Sequence, residues 1–63
     1  MTKRQWLDVA GAAEWLEVKE RFIRRLVAER RIEYHKFGSH IRFDARDLDA
    51  YADANRVPRS EAA

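Results

Sequence analysis

Apolar residues recur along the first half of the chain at helical spacing. Val9, Ala12, Ala13 and Leu16 share one face and predict a helix over roughly 9–16. Asp8, just before them, is placed to cap that helix by accepting from the free amides of its first turn. Ala12 and Ala13 are small enough to let a second helix approach closely. Trp6 and Leu7 are expected to cover the end of the core, and Trp15, off the stripe, to pack along an edge. The pattern resumes from Lys19 to Arg31. Phe22, Ile23, Leu26 and Val27 form one apolar face. At about 100° per residue, Arg21, Arg24, Arg25 and Ala28 cluster on the opposite one. Between Leu16 and Glu20 there is room only for a tight turn, so the two segments make a helix-turn-helix arrangement. Glu17 stands where a turn glycine is usual, and Val18 is expected to point inward and plug the corner.

After Arg31 the period changes from helical to alternating. Ile32 to Phe37 and Ile41 to Phe43 are β-branched or aromatic runs bracketing Gly38, Ser39 and His40, which predicts a hairpin. A three-residue loop pairs Phe37 with Ile41, Lys36 with Arg42 and His35 with Phe43. It gathers Phe37, Ile41, Phe43 and His35 on one face and Lys36 with Arg42 on the other. A two-residue loop mixes the faces, so the three-residue loop is expected. Like charges directly opposite each other destabilise a hairpin, and a polyanion lying over Lys36 and Arg42 would relieve the conflict. The plainer reading is that both side chains splay into solvent. Asp44 then caps a last helix with Asp47 as its capping-box partner. Leu48, Tyr51 and Ala52 face inward along it, and Asp49 and Asp53 face out. Met1–Gln5 is expected to fray and 55–63 to form a flexible tail, leaving 1–54 as the domain.

Length and charge sharpen this picture. A chain of 63 residues makes one domain, burying about 60% of the surface that it exposes when unfolded. There is no cysteine, so neither a disulfide framework nor a thiolate metal site is open to it. No apolar run approaches the ~18 residues that a membrane span needs, and the expected location is the cytoplasm. Net charge is only +2, but its distribution is uneven: Lys19–Arg46 carries nine basic and four acidic residues, whereas Asp47–Asn55 carries three aspartates and no base. A single basic face suits phosphate binding. Catalytic chemistry finds no foothold. Neither Ser39 nor Ser60 has a nucleophile's setting, and no glycine-rich phosphate loop is present. His35 and His40 read better as a packed and an exposed histidine than as a shared metal site. No enzyme activity, cofactor or metal is expected.

The helix from Lys19 therefore buries one stripe and presents three guanidinium groups. Guanidinium forks suit phosphate oxygens and the guanine edge, and a helix fits the DNA major groove. The plainer reading stands beside this one. Glu17–Arg21, Glu20–Arg24 and Arg25–Glu29 are i,i+4 pairs, and such arginines often do no more than solubilise a helix.

Helix, tight turn, helix, two-stranded wing and capping helix make a small α+β winged helix-turn-helix. Leu7-Asp8-Val9, Ala12–Val18, Arg25-Leu26-Val27, Arg31-Ile32, Phe37-Gly38, Ile41-Arg42-Phe43 and Asp47–Tyr51 in this order resemble the excisionase-family DNA-binding domain, which is related to the DNA-binding part of MerR-type regulators. The resemblance spans about residues 7–51. It implies that Arg21, Arg24 and Arg25 enter the major groove, and that the wing around Gly38, Ser39, His40 and Arg42 contacts backbone or minor groove. The candidate DNA-binding set is accordingly Lys19, Glu20, Arg21, Arg24 and Arg25 on the recognition helix, with Lys36, Gly38, Ser39, His40 and Arg42 on the wing. The chain departs from the family's pattern at Glu17 and Arg30, where glycine is common, at Lys19, where serine or threonine is, and at Glu33, where proline is. Without a glycine at Arg30 the recognition helix lacks its usual left-handed stop.

The resemblance further implies a free-standing recombination directionality factor of a phage or integrative element, acting in a bacterial host cell. Such a factor binds double-stranded DNA beside an attachment site, alongside other copies of itself, and bends it to favour excision by a partner integrase. A small transcriptional regulator or repressor of the same fold is the nearest alternative. A protein-interaction module docking its basic face on an acidic partner is the more distant one.

Overall fold

In a computed structural model, residues 4–59 are described. The elements in order are β1 (Trp6–Leu7), α1 (Val9–Leu16), α2 (Glu20–Ala28), β2 (His35–Phe37), β3 (His40–Asp44) and α3 (Ala45–Ala54). Three helices and a three-stranded antiparallel sheet give an α+β winged helix-turn-helix.

α1 has the predicted bounds and the predicted cap, with the Gly11 amide donating to Asp8 Oδ1 at 2.7 Å. Its alanines do what their size suggests: Ala12 and Ala13 are buried, and α2 packs against them through Ile23 and Leu26. Ile32, Phe43 and Leu48 complete the core, so every element after β1 contributes to it except β2. The corner between the helices differs from expectation. Val18 is exposed rather than plugging it; its amide donates to the Ala13 carbonyl at 2.9 Å, and this fixes the backbone while the side chain points away. Phe22 also lies at the rim, half out of the apolar stripe.

Both missing glycines are replaced by residues that adopt the glycine conformation. Glu17 (φ 57°) and Arg30 (φ 56°) are left-handed. After α1, Val18 N–H reaches Ala13 O and Glu17 N–H reaches Glu14 O. After α2, Arg31 N–H reaches Leu26 O at 2.8 Å and Arg30 N–H reaches Val27 O at 3.1 Å. This paired pattern is the Schellman motif. α2 therefore keeps its stop without glycine, at the cost of side-chain crowding at Arg30.

The sheet brings two corrections. Trp6 and Leu7 do more than cover the core: they are a strand, pairing with Asp44 and Phe43 of β3, so the order is β1-β3-β2 and the sheet has three strands where two were expected. The hairpin closes on two residues, Gly38 and Ser39, with Phe37 opposite His40, Lys36 opposite Ile41 and His35 opposite Arg42. Gly38 has φ 63° and Ser39 does not enter the positive-φ region, as a type II′ turn requires. The shorter loop shifts the register by one, which moves Lys36 and Arg42 to opposite faces. The like-charge conflict drawn from their pairing does not exist.

α3 begins where predicted, capped by Asp44, whose Oδ1 accepts from the Arg46 amide at 2.9 Å. Asp47 does not close a capping box; its carboxylate lies 3.8 Å from His35 Nε2. Inward positions are Ala45, Leu48 and, in part, Tyr51, whereas Ala52 is exposed. Of the predicted frayed stretch 1–5 and tail 55–63, residues 1–3 and 60–63 lie outside the described residues; Asn55 caps α3, and 56–59 form no regular element. Residues 4 and 5 are tied down: Ala45 N–H donates to Gln5 O at 3.0 Å and Arg4 pairs with Asp44 at 3.2 Å.

Candidate nucleic-acid interface

α2 and the wing face one groove. Glu20, Arg24, Val27 and Ala28 form its α2 wall, and Ser39, His40, Ile41 and Arg42 form its wing wall. The start of α1 (Asp8, Val9 and Ala10) makes its floor, in a volume of about 560 Å³. The groove combines apolar walls with three basic groups, Arg24, His40 and Arg42, and two carboxylates, Asp8 and Glu20.

Helix geometry explains why Arg24 is the arginine on the wing side. Ile23 and Leu26 are buried, and Arg21, Arg24 and Arg25 fan over about 100° of the opposite surface with Ala28 between them. Arg24 sits at the edge nearest Val27, toward the wing. Arg21 and Arg25 sit at the other edge, where they line a second concavity with Val18, Lys19 and Phe22. All three arginines are exposed. Of the i,i+4 pairs open to them, Arg24 makes one, donating to Glu20 Oε1 at 3.4 Å. Glu29 turns instead to Arg31, at 3.5 Å. Lys19 is the N-cap and makes no side-chain capping bond.

On the wing, Arg42 Nη1 donates to the Ile41 carbonyl at 2.8 Å, which folds the guanidinium back along its own strand. Gly38, Ser39 and His40 form the exposed tip. Of the wing candidates, Gly38 sits at the tip outside the groove lining, and Lys36 is placed elsewhere. It lines a third concavity with Arg30, Glu33, Tyr34, His35 and Asp47, away from Arg24 and Arg42.

Asp44 is the most electrostatically committed group. It is buried, yet receives Arg46 Nε at 3.3 Å and Nη2 at 3.0 Å, with Arg4 Nε at 3.2 Å. The side-chain hydrogen bond from Arg46, then its backbone amide, hold the Asp44 carboxyl below the usual carboxylate range against the opposing effect of burial. The same pairing raises the Arg46 guanidinium. This cluster locks the start of α3 to β1 and leaves Arg46 engaged away from the groove. Sequence reasoning found the Asp44 cap but not its arginines, because Arg4 is brought in only by the unrecognised strand β1.

Among the described residues, no three or more His, Cys, Asp or Glu side chains gather as a metal-ion set. No helix there is long and apolar enough to cross a membrane.

A family of helix-turn-helix domains matches residues 6–56, from the first residue of β1 to just past α3. The chain belongs to that family. It is a DNA-binding helix-turn-helix protein, and its partner is double-stranded DNA. No significant match was found among curated proteins or among solved structures. Within the helix-turn-helix frame, α2 is the second helix of the motif.

Proposed function

We propose that this helix-turn-helix protein is an excisionase-type recombination directionality factor. It binds specific duplex sites near an attachment site through α2 in the major groove, with Arg24, Arg21 and Arg25 on base edges and phosphates and Lys19 and Glu20 at the helix start. The wing tip, Gly38, Ser39 and His40 with Arg42, follows the flanking backbone or minor groove. The observation that supports the DNA-contact assignment is the shared groove: Arg24 of α2 and His40 and Arg42 of the wing open onto one surface. The excisionase role draws on the order of motifs from Leu7 to Tyr51. One domain of this size offers few contacts, so several copies on adjacent sites hold a bent duplex whose distortion costs a few kcal/mol. The bent DNA then favours excision by an integrase.

The test has two stages. Selection from a random duplex pool is expected to return a defined site, with affinity falling by roughly one log–log slope unit per phosphate contacted as salt rises. Adding the protein to integrase and an attachment-site substrate is then expected to raise excision. Binding of a promoter site with no effect on recombination would turn the reading to a transcriptional regulator. Absence of retention on any duplex at ~50 mM salt would remove DNA binding itself.

A further inference from the structure

Trp6 is 39% exposed, and it lies on the outer face of the sheet, turned away from the helices. Its ring meets His35 edge-on at 4.9 Å and 77°, and Phe37 at 5.4 Å and 89°. Those two rings lie nearly parallel to each other, at 6.2 Å and 15°. Arg4 places its guanidinium 5.4 Å from the Trp6 ring centre while its Nε binds Asp44. Trp6 thus packs on both rings in the edge-to-face geometry that aromatic pairs prefer.

What this cluster joins matters more than its area. Trp6 pairs with Asp44 at the base of β3, but its ring contacts belong to β2, across β3. Phe37 is opposite His40 beside the tip, and His35 is opposite Arg42. β1 ends at Leu7, opposite Phe43, so the tip half of β3 has β2 as its only neighbour in the sheet. A two-stranded ribbon is marginal on its own and twists readily. On the helix side it rests on Ile41 and Phe43. On the outer side it rests on Trp6.

We propose that Trp6 is a positioning residue for DNA binding: backed by Arg4, its indole braces His35 and Phe37 and so holds His40 and Arg42 level with Arg24 across the groove. The proposal rests on the DNA-contact reading of that groove. The N-terminal strand then belongs to the binding apparatus although it touches no DNA.

The test uses the full chain with W6A, W6F, F37A and the W6A/F37A double variant. Each is titrated over a salt series against a duplex that the wild-type protein selects from a random pool, with thermal melts and backbone footprints read in parallel. W6A and F37A are each expected to lose about ten-fold in affinity and to lower the salt slope by about one to two units, as wing phosphate contacts are lost. Footprint protection is expected to vanish on the wing side and persist under α2. The double variant should be little worse than either single one, and W6F should recover most of the loss. If W6A fails to fold, F37A poses the same question from the other side of the contact. A folded W6A or F37A with wild-type affinity and slope overturns the proposal. So does an affinity loss with an unchanged slope and intact wing-side protection, the mark of a merely structural role. Failure of the wild-type protein to bind any duplex is a separate result, and it removes the DNA reading together with the brace.

Discussion

The indole N–H of Trp15 donates to the Asp49 carboxylate at 2.9 Å, joining α1 to α3 across 34 residues. Both partners are exposed, Trp15 by 41%, so the bond competes with water and its net contribution is modest. Trp15→Phe is expected to lower stability by about 0.5–1 kcal/mol, and Asp49→Ala by a similar amount. The double variant should lose little more than either single one in urea denaturation. Additive losses would mean that the bond contributes nothing.

Asp44 makes stability depend on pH in a defined direction. Its folded-state pKa lies below its ordinary value because Arg46 donates to the charged form. The unfolded chain therefore binds this proton first as pH falls. The contribution is complete above the ordinary aspartate value of about 4 and is lost as pH drops through the lower folded value. Urea midpoints measured between about pH 6 and pH 2 should fall in that window. Asp44→Asn, which keeps a capping side chain, should flatten the fall.

The two left-handed caps carry a removable cost. Glu17→Gly and Arg30→Gly are each expected to raise stability by about 0.5–1 kcal/mol: relief of left-handed crowding exceeds the entropy that glycine adds to the unfolded chain. Thermal melts of the two variants check this, and a lowered midpoint in either would contradict it.

Arg24 and Lys36 separate the groove from the rest of the basic surface. Arg24→Ala is expected to cost about 1–3 kcal/mol on a selected site if it reads guanine. Lys36→Ala, in a different concavity, should change affinity by no more than about two-fold. Equal losses from both would mean that DNA covers more of the molecule than the groove.

Helix periodicity made much of the fold legible. The bounds of α1, the Asp8 and Asp44 caps and the opposed apolar and arginine faces of α2 all follow from repeats that span several turns. Arg24 came from that arginine face, whereas Ser39, His40 and Arg42 came from the family resemblance, and the four line one groove. Elements too short to show a period were hidden. Trp6–Leu7 is a two-residue strand, and only its partner β3 makes it one. The hairpin register turned on one residue of loop length. Seeking a clean apolar face favoured the wrong choice, because the outer face holds its own aromatic cluster and Phe37 is 50% exposed there. Without glycine at Arg30 the helix was expected to lack its left-handed stop, whereas at both Glu17 and Arg30 paired backbone hydrogen bonds close the helix end around an ordinary residue in the left-handed conformation.

The strand in the middle of the sheet is the last of the three to be synthesised. β2 and β3 can meet as a local hairpin, but β1 has no edge to join until residues 43 and 44 have emerged. Arg4 and Gln5 likewise wait for Asp44 and Ala45. A nascent chain cut short before this point lacks Phe43 and Leu48 of the core as well as the wing. Groove and fold are completed by the same few residues, which couples maturation of the chain to its competence for DNA.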